Sequence, residues 1–180
     1  MTMVREGTLT PVARSIDLDP IDGIGVGTVG PPGQRQVFLR ANRGPEAYVL
    51  YCEKFHVQGL IVRIRQLLEA QGLGAPPEAV QPPPEEPGEP EWIVGQLGLG
   101  YHESKRLFVI VARQAAANEG DDPNELATAR FWATPGQVMS FTRQAERVLS
   151  SGRPTCSHCG LPMDPGGHPC PAGNGSRPIL

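Results

Sequence analysis

The chain has 180 residues, enough for one sizeable core or for two small units sharing one, and too few for two domains of ordinary size. Its 16 Lys and Arg against 19 Asp and Glu leave a net charge of -3, so no global electrostatic attraction to nucleic acid is expected. No segment approaches the roughly 20 apolar residues of a membrane span, and the first 20 residues lack the apolar run of a signal peptide. The expected compartment is therefore the cytoplasm, where thiols stay reduced and clustered cysteines hold metal rather than a disulfide.

Residues 1–20 show no sustained hydrophobic period and are expected to be a loosely held, flexible arm. Organisation begins with the segment 21–71. GIGVGTVG, from Gly23, runs into the turn Pro31-Pro32-Gly33, and QVFLRA then alternates Val37 and Leu39 against Phe38 and Arg40, as a half-buried strand does. A hairpin is predicted there. After the turn signal Asn42-Arg43-Gly44-Pro45, AYVLYCEK supplies a third strand. The period then changes: Val57, Leu60, Ile61, Ile64, Leu67 and Leu68 recur at helical spacing, and Gly72 stands where a helix ends.

Residues 72–91 hold seven prolines and five glutamates, which cannot pack a core, and are predicted to be an extended, solvated linker. In 92–152 the same programme restarts. EWIVGQLGLGYHESKRLFVIVARQ reads as a second hairpin and ELATARFWATP ends in a strand. A second helix follows, with Thr134 and Gln137 as a capping box, Pro135 in the first helical position, and Val138, Phe141, Ala145, Val148 and Leu149 as its apolar stripe.

The two halves can be laid over each other. A shift of 70 residues places Gly25 on Gly95, Gly30 on Gly100 and Phe38 on Phe108. A shift of 81 places Tyr51 on Trp132, Val57 on Val138, Leu60 on Phe141 and Leu68 on Leu149, the extra 11 residues being the loop AAANEGDDPNE. The matched order of elements reads as an internal duplication; two unrelated hairpin and helix units are the alternative. The expected fold class is α+β, an antiparallel sheet packed by two helices, with a small C-terminal zinc-knuckle loop in 153–180.

That tail holds three of the four cysteines and two of the four histidines, in a stretch too poor in apolar residues to fold unaided. Cys156 and Cys159, followed by Gly160, form a knuckle in which two thiolates converge on one ion. His168 and Cys170 are two residues apart and point the same way in an extended chain. Cys156, Cys159, His168 and Cys170 would make a closed, four-coordinate, structural zinc site. His158 is an alternative fourth ligand and Asp164 a weaker one. A redox role for the Cys-x-x-Cys pair wants a helix N-terminus at the first thiolate, and Gly160 with Pro162 argues against a helix.

The tail, with VGTVGPPGQR in the first hairpin and ATPGQ at the second helix start, resembles a bacterial family catalogued as domain of unknown function 3090. The family tail runs Cys-Pro-x-Cys-Gly-x-Pro-x-Asp-Pro-x-Gly-His-x-Cys-Pro-Arg-x-Asn-Gly. The match falls on Cys156, Cys159, Gly160, Pro162, Asp164, Pro165, Gly167, His168, Cys170, Pro171, Asn174 and Gly175, with departures at Ser157 and Ala172. The resemblance implies a cytoplasmic bacterial protein and brings no activity with it.

Other signals point less far. Gly25-Val26-Gly27-Thr28-Val29-Gly30 fits G-x-G-x-x-G but meets a turn where the dinucleotide pattern needs a helix. Tyr101-His102-Glu103 and Lys105 gather at the second hairpin turn, and Arg63 and Arg65, then Arg143 and Arg147, lie on the two helices. Two functions are weighed. The first is a non-catalytic interaction module with a structural zinc loop and a protein partner. The alternative is an enzyme or binding protein for a small, phosphorylated molecule in a groove between the halves, lined by His102 and arginines. Nucleic acid is disfavoured at the tail, whose cations are Arg153 and Arg177 alone. Oligomeric state stays open.

Overall fold

The computed structural model describes residues 13–31, 33–74, 87–151, 156–159, 168 and 170. The alternating segments form strands and the 3.6-period segments form helices. In chain order these are β1 (Ser15–Leu18), β2 (Gly23–Val29), β3 (Gln36–Arg43), β4 (Glu46–Cys52), α1 (Lys54–Ala70), β5 (Trp92–His102), β6 (Leu107–Gln114), β7 (Thr128–Ala133) and α2 (Pro135–Ser150). They make an α+β fold with one seven-stranded sheet, ordered β1-β7-β6-β5-β4-β3-β2.

The sheet is mixed, which corrects the expectation of an antiparallel one. β2, β3 and β4 form an antiparallel meander, as do β5, β6 and β7, but β4 pairs with β5 in parallel, Leu50 against Trp92 and Tyr51 against Ile93. The cause is the connection. A helix and a linker between β4 and β5 return the chain to the end it left, so the next strand restarts in the same direction. β1 pairs with β7 in parallel as well, Leu18 against Phe131.

β1 lies inside the segment expected to be a flexible arm. Four residues carry only one alternation, with Ile16 and Leu18 buried and Ser15 and Asp17 exposed. What recruits them is the open edge of β7, a long-range partner that local periodicity does not report. Ile21 N–H donates to Trp132 O at 2.9 Å and Asp22 N–H to Asn42 O at 2.8 Å. β1 and β2, joined by residues 19–22, thus stand at the two ends of the strand order, β1 on β7 and β2 on β3. Of the linker, residues 75–86 lie outside the described residues; its last residue, Glu91, already donates its N–H to Val49 O at 2.8 Å.

Both helices pack on one face. Val57, Leu60, Ile61, Ile64 and Leu68 of α1 and Val138, Phe141 and Ala145 of α2 enter a single core cluster with Val26, Leu39, Leu50, Phe108, Ile110 and Phe131. The remaining stripe positions, Leu67, Val148 and Leu149, pack against its rim. α1 ends as Gly72 foretells: its φ is +62°, its N–H donates to Glu69 O, and Leu73 N–H closes on Leu68 O at 2.9 Å. At the start of α2, Thr134 Oγ1 accepts the Gln137 N–H at 3.1 Å and Gln137 Oε1 accepts the Thr134 N–H at 2.9 Å. Gln137 Nε2 also donates to Ile21 O at 3.0 Å, tying the helix to the point where the chain changes strands.

The register alters one detail of the overlay between halves. Phe38 is buried on the face opposite the helices, where its ring lies over Gly27: a Cβ on Gly27 would sit 2.5 Å from Phe38 Cζ. Phe108 instead belongs to the core cluster. A shift of 70 is therefore out of phase with the pleat, in which one residue of slip turns every side chain to the other face. An in-phase overlay of the halves needs an odd shift, which sets Leu39 on a core residue of β6.

Candidate metal centre

Cys156 follows the end of α2 by a few residues, and Cys156, His168 and Cys170 are buried while Cys159 is half-buried. Residues 14 apart in sequence come together: Cys156 Sγ lies 3.8 Å from Cys170 Sγ, and Cys159 Sγ lies 3.7 Å from His168 Nε2. All four ligand atoms fall within 4.8 Å of one another. The thiols are free, and 3.8 Å is far beyond the roughly 2.05 Å of a disulfide.

These separations can be tested against an ion. Metal–sulfur bonds of about 2.3 Å and a metal–nitrogen bond of about 2.0 Å at tetrahedral angles need edges of about 3.8 Å between sulfurs and 3.5 Å between sulfur and nitrogen. The observed edges fit, so the cluster could hold a metal ion. Cys156 is polarised by its neighbours. The His168 ring beside it, followed by the backbone N–H groups of Cys159 and His158, holds its thiol down to about 6. The His158 N–H donates to Cys156 Sγ at 3.4 Å, an outer-shell bond that orients the ligand and stabilises its thiolate. Cys52 shows the opposite environment: burial in the core, and then the charge of Glu53, push its thiol up to about 12.

Of the two histidines left open by the sequence, the structure brings His168 to the three sulfurs. His158 is exposed, and its backbone rather than its ring serves the cluster. Asp164 and Gly160 lie outside the described residues.

The remaining candidates are placed elsewhere. Gly25 and Gly27 lie within β2 and open no helix. His102 ends β5, where its Nδ1 accepts the Lys105 N–H at 3.3 Å. Lys105 pairs with Asp19 and lies 4.2 Å over the Trp132 ring, and Trp132 Nε1 donates to Asp17 at 3.0 Å. These groups fasten β1 and the β5–β6 turn onto β7, a role the sequence did not signal because the partners are 86 and 115 residues apart. Arg65 pairs with Glu146 across the two helices. Arg147 Nε donates to Arg143 O, 3.4 Å away. His56 caps α1: its Nδ1 accepts the Glu53 N–H at 3.1 Å, which leaves the ring proton on Nε2, 3.2 Å from Gly95 O.

Residues 16–170 match the family described as "Protein of unknown function (DUF3090)", and the chain belongs to that family. No curated protein and no solved structure matches it. No helix among the described residues is long and apolar enough to cross a membrane.

Proposed function

We propose that this DUF3090 protein is a non-catalytic binding module whose C-terminal loop is held by one structural zinc ion on Cys156, Cys159, His168 and Cys170. The observation that carries the reading is the convergence of three sulfurs and one imidazole nitrogen within 4.8 Å. Three thiolates and a neutral imidazole are a donor set that favours zinc, and four protein ligands leave no position for water or substrate. The ion would supply folding energy rather than Lewis acidity, about 10 kcal/mol or more for sites of this size. A reducing cytoplasm keeps the thiols available as ligands. Each half of the body, we further propose, is one copy of a duplicated strand-strand-strand-helix unit. The support is symmetry of pairing: the third strand of each half runs parallel to the first strand region of the other, β4 with β5 and β7 with β1.

Metal analysis of protein purified without chelator tests the site. The expected result is one zinc per chain, lost in Cys156→Ser. His168→Ala should weaken binding by more than the roughly 100-fold that removal of an outer-shell partner costs, whereas His158→Ala should leave it unchanged. Absence of metal from the unmutated chain, or equal effects of the two histidine variants, overturns the reading.

A further inference from the structure

The two helices begin alike. In α2, Gln137 Oε1 accepts the Thr134 N–H at 2.9 Å and Nε2 donates to Ile21 O at 3.0 Å, in the link between β1, which pairs with β7, and β2, which pairs with β3. In α1 the same position of the capping box is held by His56. Its Nδ1 accepts the Glu53 N–H at 3.1 Å, and its Nε2 lies 3.2 Å from Gly95 O, at the bulge where β5 passes from β4 to β6. One side chain in each half thus closes a capping box and fastens the helix to the chain where it changes partner. The chemistry of the two differs. An amide accepts and donates at every pH, whereas an imidazole does both only while neutral, and imidazoles gain a proton between about pH 5 and 8.

We propose that His56 is a pH-sensitive latch at the start of α1: a proton on Nδ1 removes the acceptor for the Glu53 N–H and opens the capping box, while Gln137 keeps the start of α2 closed. The latch belongs to the body of the protein and is independent of the metal site. Nε2 remains a donor in the imidazolium, so the bond to Gly95 O survives and the first turn of α1 is what loosens. The ring is half-buried and within reach of solvent, with the Phe55 ring 4.1 Å away. Glu53 and Lys54 are the charged groups that flank it on its own segment. From β5 it meets a carbonyl, and Glu91, just before that strand, is held by Arg14. Arg113 follows the buried Ala112 on β6 and so points to the other face of the sheet. α2 brings Glu146 to Arg65, about 14 Å further along α1, and its Arg143 and Arg147 lie on that same stretch.

NMR of the isotope-labelled full chain tests the latch. At about pH 8 the His56 ring should carry its proton on Nε2 and none on Nδ1. Between about pH 8 and pH 5 the protection factor of the Glu53 amide, which divides out the intrinsic pH dependence of exchange, should fall about fivefold, the effect of losing one cap. The protection of the Thr134 amide should stay level. His56→Gln supplies the acceptor and donor that Gln137 supplies in α2, so the Glu53 amide of that variant should stay protected at the lower pH. A proton on Nδ1 at the higher pH, protection at Glu53 that is flat with pH, or an equal fall at Thr134 overturns the proposal. So does a fall that persists in His56→Gln, which would trace it to another titrating group.

Discussion

From Ser15 to Ser150 the chain is held by one cluster of buried apolar side chains drawn from all seven strands and both helices, whereas the described residues buried between Cys156 and Cys170 are two thiols and an imidazole. Burial in the first region is non-directional and shared among many side chains, so the loss of any one is graded. Ligation of the proposed ion in the second would be directional and shared among four, so the loss of one is expected to be close to complete. The contrast teaches that the two regions should fail separately, although a few residues separate Cys156 from α2.

The largest expected effect is metal removal. A chelator in excess should take away the roughly 10 kcal/mol that organises the loop and speed amide exchange at residues 156–159, while the exchange of β3, β6 and α2 stays as it was. Exchange rising together in both regions would break the comparison and make the loop part of the core.

Thiol labelling sharpens it next. Chelation releases Cys156 to the ordinary thiol range of about 8.5 while Cys52 stays pushed up to about 12, so the thiolate fraction at pH 8 differs by more than about 10³-fold. Iodoacetamide applied after chelation should mark Cys156 and spare Cys52, as read by mass spectrometry. The sign for stability follows. A raised thiol value favours the neutral form in the folded state, so the contribution of Cys52 is present below its unfolded value of about 8.5 and is lost as pH rises towards about 12.

Within the body, Phe131→Ala should cost about 3–5 kcal/mol in chemical unfolding, because Phe131 is fully buried between β6 and β1. Its zinc content should not change. The smallest effect is the helix cap: Thr134→Ala should cost about 1 kcal/mol by removing the acceptor for the Gln137 N–H, again with no change in zinc.

Much of the body is legible in the sequence alone. The alternation of Val37 and Leu39 with Phe38 and Arg40, the 3.6-residue period from Val57 to Leu68, the Thr134–Gln137 box and the terminal Gly72 all rest on interactions within a few residues. Such interactions are written where they act. The convergence of Cys156, Cys159, His168 and Cys170 is legible for a related reason: thiol and imidazole groups close in sequence need little chain to meet. The overlay of halves shows the limit. Matching aromatic to aromatic sets Phe38 on Phe108, but Phe108 lies in the core cluster and Phe38 does not, so only the buried faces reveal the phase.

What the sequence determined by itself is therefore the strands from β2 to β7, the two helices and the set of residues able to ligate an ion. The tertiary structure decided the rest: that β4 and β5 run parallel, that Ile16 and Leu18 are recruited to the edge of β7, and that His168 and not His158 faces the sulfurs. Those outcomes turn on contacts between distant residues, such as Gln144 Oε1 accepting the Val26 N–H from 118 positions away at 3.3 Å. A local period cannot encode such contacts, because the closure of a long loop is decided by the sum of the packing it permits and not by the residues at its ends.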